Sequence, residues 1–166
     1  MAILTAKPAV TNIVFISGKP QVPYEPALRR QQCIREDSAR RDPSHKLYED
    51  ADTFAFMDVM PQGKGHCLAI TKTPFRNILD VAPDSLAAVI ATTQKLARAV
   101  KTAFDADGVT VMQYNEPAAG QTVFHLHFHI IPRFDGVALK PHTGQMEDQG
   151  VLAANAEKIR QVLLKT

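Results

Sequence analysis

His125, His127 and His129 alternate with Leu126, Phe128 and Ile130. Imidazole can act as nucleophile, base or hydrogen-bond donor near neutral pH, so three on one rigid segment could attack, stabilise charge and orient one another. The period-two alternation predicts a strand over 123–131, buried on one face, with all three rings on the other. Same-face side chains on a strand are about 6.6–6.8 Å apart. A metal centre is the competing chemistry. Histidines at i and i+2 can chelate zinc, and three with an open water position would make a catalytic site. The first and third rings lie too far apart for one ion unless the strand bends, and no Asp, Glu or Cys ligand is close in sequence. Plain structural histidines are the third reading, although each displaces a better strand residue.

The elements that must position this segment are legible on either side of it. Lys46–Glu49 and Thr53–Met57 read as short strands around the acidic turn Asp50-Ala51-Asp52. Cys67–Thr71 reads as a third, entered through a loop that ends at Gly65 and His66. Pro83 suits the first turn of a helix. Leu86, Val89, Ile90, Leu96, Val100 and Phe104 keep helical spacing to about Ala106, with Gly108 as the expected stop. A fourth strand is expected over 109–114 and the histidine strand is the fifth. Leu152, Ile159 and Leu163 predict a C-terminal helix starting near Asp148. Antiparallel strands with segregated helices make an α+β fold.

Composition narrows the function classes. The 166 residues suit one domain with a real core, and 45% hydrophobic content is ordinary. No run approaches the roughly 20 apolar residues of a membrane span. The early apolar run, 13–16, is too short for a secretory signal, so a cytoplasmic location is expected. Cys33 and Cys67 form neither a C-x-x-C pair nor a disulfide framework. The net charge of +2 divides into +3 over residues 1–45 and −1 over 46–166. The basic excess therefore lies away from the histidines, and no nucleic-acid partner is expected.

The run His125-Leu126-His127-Phe128-His129-Ile130-Ile131 resembles the signature of the histidine triad (HIT) family of nucleotide-binding proteins and hydrolases. Asn115-Glu116, Gly120-Gln121-Thr122 and Pro132-Arg133 match its flanks. Lys46-Leu47-Tyr48-Glu49-Asp50, with Phe56-Met57-Asp58 and Gly65-His66, resembles its first hairpin. The resemblance covers about 44–140, leaving 141–166 as a tail and helix. It implies a five-stranded antiparallel sheet with a long helix and a C-terminal helix. It also implies a homodimer formed through the long helix and the fourth strand.

For chemistry, the resemblance implies that His127 attacks the α-phosphorus of a purine nucleotide and forms a covalent nucleotidyl-histidine. The attacking nitrogen must be unprotonated, so a backbone carbonyl near the third triad position is expected to hold the other nitrogen. His129 would contact the same phosphate, His125 would orient the others, and His66, the fourth histidine, would support His125. Asn115, Gln121 and Thr122 would meet the phosphate and leaving group, Asp58 the ribose hydroxyls, and Phe56 and Val59 the base. No metal or other cofactor is implied. His129 stands where nucleotidyl transferases usually carry Gln, which favours hydrolysis. Gly120-Gln121-Thr122-Val123 resembles the dinucleoside polyphosphate hydrolase branch, whereas phosphoramidases more often carry Ser where this chain has Thr122. The alternatives are a nucleotide-binding module without turnover and a metal-dependent hydrolase built on the histidine strand.

Residues 1–43 depart from the family, which opens with a short helix before the Ser-His-Lys seen here as Ser44-His45-Lys46. Permitted codons for residues 32–43, read one base later, translate as Asn-Ala-Phe-Ala-Lys-Ile-Leu-Arg-Gly-Glu-Ile-Pro. That is close to the absent helix and points to a one-base frameshift ending near Pro43. A divergent extension is the other reading.

Overall fold

A computed structural model describes residues 45–141 and 145–165. The expectation of a frameshifted segment over 1–43 lies outside the described residues. Five strands, β1 (Lys46–Glu49), β2 (Thr53–Met57), β3 (Cys67–Thr71), β4 (Gly108–Met112) and β5 (His127–Arg133), form one sheet of order β1-β2-β3-β5-β4. Every neighbouring pair is antiparallel. Helix α1 (Pro83–Phe104) joins β3 to β4, and α2 (Gln149–Leu163) follows β5. This is the α+β architecture expected. No described helix is long and apolar enough to cross a membrane.

Local chemistry fixes the elements. In the β1–β2 turn, Asp50 Oδ1 accepts from the backbone N–H groups of Asp52 and Thr53 and from the Thr53 hydroxyl, which closes the turn from within. Pro83 opens α1 as its sequence position suggested. The helix ends earlier than expected. Asp105 takes the left-handed conformation at φ 49°, and its N–H and that of Ala106 bond back to Thr102 and Lys101 carbonyls. Gly108 consequently begins β4 instead of ending α1. Asp148 caps α2, its Oδ1 accepting from the Val151 N–H at 3.1 Å.

Two strand boundaries are corrected. β4 stops at Met112, short of 114, and β5 starts at His127, not 123. Leu126 gives its N–H to the Phe75 carbonyl at 2.7 Å, so this part of the chain bonds to a loop and not to the sheet. His125 therefore precedes the strand.

The register assigns each face of the sheet. Cys67 lies opposite Ile130, and Ala69 opposite Phe128. These four face α1, while α2 packs beside α1 over β1 and β2; Val89, Leu96, Val100, Leu152 and Ile159 complete a fully buried core. Burying each large aliphatic side chain contributes roughly 1.5–3 kcal/mol before entropy is subtracted. On the opposite face, His129 lies across from Leu68 and Leu68 from Phe56. His127 lies across from Ile70 and Ile70 from Phe54. Two short rows thus run from histidine to aliphatic to phenylalanine.

Candidate active site

The register brings His127 and His129 together, with ring centroids 4.9 Å apart and planes at 70°. His127 is half-buried and His129 almost fully buried. His127 Nδ1 lies 2.6 Å from the carbonyl oxygen of His125. A carbonyl only accepts, so Nδ1 carries the proton and Nε2 keeps its lone pair. That is the tautomer a nucleophile needs. The holding carbonyl belongs to the first triad residue, which corrects the expectation of one near the third.

A second chain of bonds sets the proton on His129. The Gln62 backbone N–H donates to His66 Nδ1 at 3.1 Å. A backbone N–H has no alternative role, so His66 Nδ1 is the acceptor and Nε2 carries the hydrogen. His66 Nε2 lies 3.0 Å from His129 Nδ1, which must then accept. The proton of His129 is left on Nε2. One ring thus carries an unprotonated Nε2 and its neighbour a protonated one. Asp58 Oδ2 also lies 3.4 Å from His66 Nδ1. The shorter, directed contact from Gln62 decides that nitrogen's state, and the carboxylate adds a field beside it.

His66 was expected to support His125; its ring reaches His129 instead. It is placed by Gly65, whose φ of 78° and whose lack of Cβ let the chain pass against the Phe104 ring. The His125 ring is anchored separately, Nε2 donating to the Thr71 carbonyl at 2.7 Å. Burial lowers the affinity of His125 for a proton. The Thr71 carbonyl opposes that effect, and His127 adds to it slightly. His125 is therefore held as a neutral ring.

The other expected residues lie around this pair with differing freedom. Phe56 is half-buried beside Phe54, with ring centroids 5.6 Å apart, at the far end of the His129 row. Asp58 is buried after β2, its Oδ1 accepting from the Met60 N–H at 2.8 Å. Val59 is partly buried and packs against the hydrophobic core. Asn115 is tied to both sides of its loop: Oδ1 accepts from the Ile78 N–H, and Nδ2 donates to Gln113. Thr122 is exposed. The buried Gln121 side chain makes four bonds to protein. Oε1 accepts from Asn77 Nδ2 and the Glu116 N–H; Nε2 donates to the Arg76 and Val123 carbonyls. Its backbone N–H donates to the Glu116 carbonyl. Gln121 holds the loop, and its polar tip is engaged there.

Asp58, His66 and His129 could together offer a metal three ligand atoms, all within 4.8 Å of one another. One nitrogen of each histidine is already engaged as an acceptor, Nδ1 of His66 with Gln62 and Nδ1 of His129 with His66. An ion at those atoms would have to replace both bonds. Cys67 is no better a ligand. Burial raises its thiol well above the usual range, and the charge of Asp58 raises it further.

The HIT domain family model matches residues 39–136. The chain belongs to the HIT family. A HIT-like protein from Bartonella henselae, described as involved in cell-cycle regulation, is 51% identical at a TM-score of 0.72. The match covers 78% of this chain and 94% of that one. "Protein hit" of Bacillus subtilis is 39% identical over 92 residues, which are 55% of this chain and 63% of that protein. The chain thus spans less than two thirds of that relative. An adenylylsulfatase of Arabidopsis thaliana is 35% identical over 91 residues, 55% of this chain and 46% of that enzyme.

One part of this HIT site escaped the sequence reading. Arg76 bonds Glu116 with two prongs, each 2.6 Å, and lies 4.1 Å over the Phe124 ring. Asn77, 1% exposed, donates to both Glu116 and Gln121. Arg76 and Asn77 lie some 40 positions before their partners. No periodicity or short motif connects such residues. The available signal was a Glu followed by Pro117 where the chain must turn.

Proposed function

We propose that the protein is a nucleotide hydrolase that works through a covalent nucleotidyl-histidine on His127. Its substrates would be purine nucleotides with a phosphorus-linked leaving group, a phosphoramidate or a dinucleoside polyphosphate. The observation that carries this reading is the opposed protonation of the two neighbouring rings. His127 offers Nε2 as a lone pair while His129 offers Nε2 as a donor. In the first step the His127 lone pair bonds to the α-phosphorus and the bond to the leaving group breaks. The leaving group departs with the electron pair and takes up a proton. The ring becomes positively charged, and its Nδ1–H on the His125 carbonyl holds that charge in place. The His129 N–H stabilises the phosphoryl oxygens as charge builds on them. Water then bonds to the phosphorus and the P–N bond breaks, its electron pair returning to Nε2; the proton that water releases balances the one taken up by the leaving group. The relation to an enzyme named adenylylsulfatase supports chemistry at an adenylyl group.

In this reading the His129 row continues through Leu68 to Phe56, an apolar floor for the base. Asp58 uses its remaining lone pairs for the ribose hydroxyls, since an ionised carboxylate has about four acceptor sites. Thr122 and Asn115 border the phosphate end. The active unit would be a homodimer. Its support is that Ile90 on α1 and Val111 on β4 are apolar and exposed on the elements the dimer would use.

A metal-dependent hydrolase is the second reading, favoured by the Asp58, His66 and His129 grouping. Mass spectrometry after brief incubation with an AMP phosphoramidate or a diadenosine polyphosphate separates the two. An acid-labile adduct of one nucleotidyl group on His127, formed in EDTA, is expected. Turnover without any adduct, or turnover lost to EDTA and restored by zinc, would favour the metal.

A further inference from the structure

The chain enters β5 under an arrangement of bonds that touches neither reacting nitrogen. The Phe75 carbonyl takes the Leu126 N–H at 2.7 Å, and the Arg76 carbonyl takes Gln121 Nε2 at 2.7 Å. The Arg76 guanidinium grips both Glu116 oxygens and covers the Phe124 ring. Asn77 Nδ2 bridges Glu116 Oε1 at 2.8 Å and Gln121 Oε1 at 3.1 Å. Three consecutive residues before α1 thus hold the whole approach to His125.

Glu116 makes this arrangement unusual. Its backbone sits at φ 69° and ψ 160°, a region that essentially only glycine occupies without strain. The strain is tolerated where a carboxylate is required to meet Arg76 and Asn77. Those two partners, Arg76 first, hold the Glu116 carboxyl well below its usual range, at about 2. A glycine would serve the turn better and would supply no grip.

We propose that Arg76, Asn77, Glu116 and Gln121 are positioning residues that fix the His125 carbonyl and, through it, the tautomer of His127. The proposal rests on the reading of His127 as nucleophile. His125 is pinned on its C-terminal side by the Leu126–Phe75 bond, at its ring by Thr71, and on its N-terminal side by the held loop. Its carbonyl is the acceptor for His127 Nδ1–H. When the loop loosens, that carbonyl moves and the Nδ1–H form loses its partner. The other neutral tautomer, protonated on Nε2, then gains population and cannot attack.

The test is to read the His127 tautomer by ¹⁵N NMR in ligand-free protein, alongside the rate of nucleotidyl adduct formation. Wild type is expected with Nε2 unprotonated. Glu116→Gly, which relieves the strained backbone, should fold and show mixed tautomers. Its adduct formation should slow about 10²-fold, the scale of a small misplacement of reacting groups, with KM little changed. Glu116→Gln keeps one acceptor for Arg76 and turns a donor toward the other prong, so both readouts should fall between wild type and Glu116→Gly. Arg76→Lys keeps the charge, loses the two-pronged fit and should behave like Glu116→Gly. A wild-type tautomer and rate in Glu116→Gly would overturn the proposal, as would a slowed rate with the tautomer unchanged. If wild type itself forms no adduct, the nucleophile assignment fails, and the tautomer comparison still decides the clamp.

Discussion

On the helix-covered face of the sheet, Phe128 and Ile130 lie opposite Ala69 and Cys67. One residue along the same strands, on the other face, His127 and His129 lie opposite Ile70 and Leu68. The backbone is shared and the organising physics is not. The first face is held by volume: side chains from both helices fill it, and any group of similar size and polarity would serve. The second is held by direction. Its proton positions descend from two fixed backbone groups, the Gln62 N–H and the His125 carbonyl. Changes on the first face should therefore cost stability. Changes on the second should cost chemistry while leaving the fold largely intact.

The largest effect that tests this division is on the second face. His127→Ala should lower turnover by roughly 10⁴-fold or more, as loss of a covalent nucleophile typically does. AMP affinity and melting temperature should stay near wild type, because the ring is half-buried and outside the core. Calorimetric titration with AMP beside a single-turnover assay checks both halves, and near-normal turnover would end the mechanism. The matching change on the first face is Leu96→Ala, which empties a fully buried position on α1. It should destabilise by about 2–5 kcal/mol in denaturant melts. Turnover per folded molecule should be unchanged; a matching fall in turnover would mean the two faces are coupled.

His66→Leu falls between the faces and should sharpen the comparison. It removes the link between Gln62 and His129 and leaves a buried N–H without its acceptor, at a cost of about 1–3 kcal/mol. It should also lower turnover by about 10²-fold, the lower end for removal of one charge-stabilising donor. His129 would lose the partner that keeps its proton on Nε2. Wild-type turnover in a folded His66→Leu protein would show that the Gln62–His66–His129 chain does not direct His129.

What was legible in the sequence divides along the same line. β1, β2 and β3 fall where alternation and the acidic turn put them, because those signals are local. The triad was legible as a motif, and its neighbouring rings do share a face. The start of β5 was not, because Leu126 bonds to Phe75, far away in sequence. The end of α1 was misplaced because Asp105 adopts the left-handed turn usually left to glycine. The direction of the protons was also invisible, since no side-chain pattern encodes which backbone group a ring will meet. Gln121 shows the limit plainly. Its place in the motif suggested a phosphate ligand, while its bonds to residues 76, 77, 116 and 123 make it part of the loop's own structure.

The smallest effect concerns His125, which joins both regimes: its ring is buried like a core group and its carbonyl holds the His127 ring. Burial holds its proton affinity below that of an ordinary imidazole, near 6.5. As pH falls through that value, the unfolded chain takes up a proton at this residue and the folded protein does not. The unfolded state then binds more protons, so stability falls with falling pH, and the contribution is fully present only above about 6.5. Glu116 acts in the same direction in a separate window, between the usual carboxylate value of 4.5 and about 2. Melts between about pH 8 and pH 5.5 therefore exclude it. The measurement is a difference between wild type and a variant that cannot titrate at this position. His125→Gln keeps a donor for the Thr71 carbonyl and cannot titrate, and its stability should fall less steeply than wild type as pH is lowered. Identical slopes would mean that His125 gains its proton as easily folded as unfolded, and that its burial places no constraint on the charge of the triad.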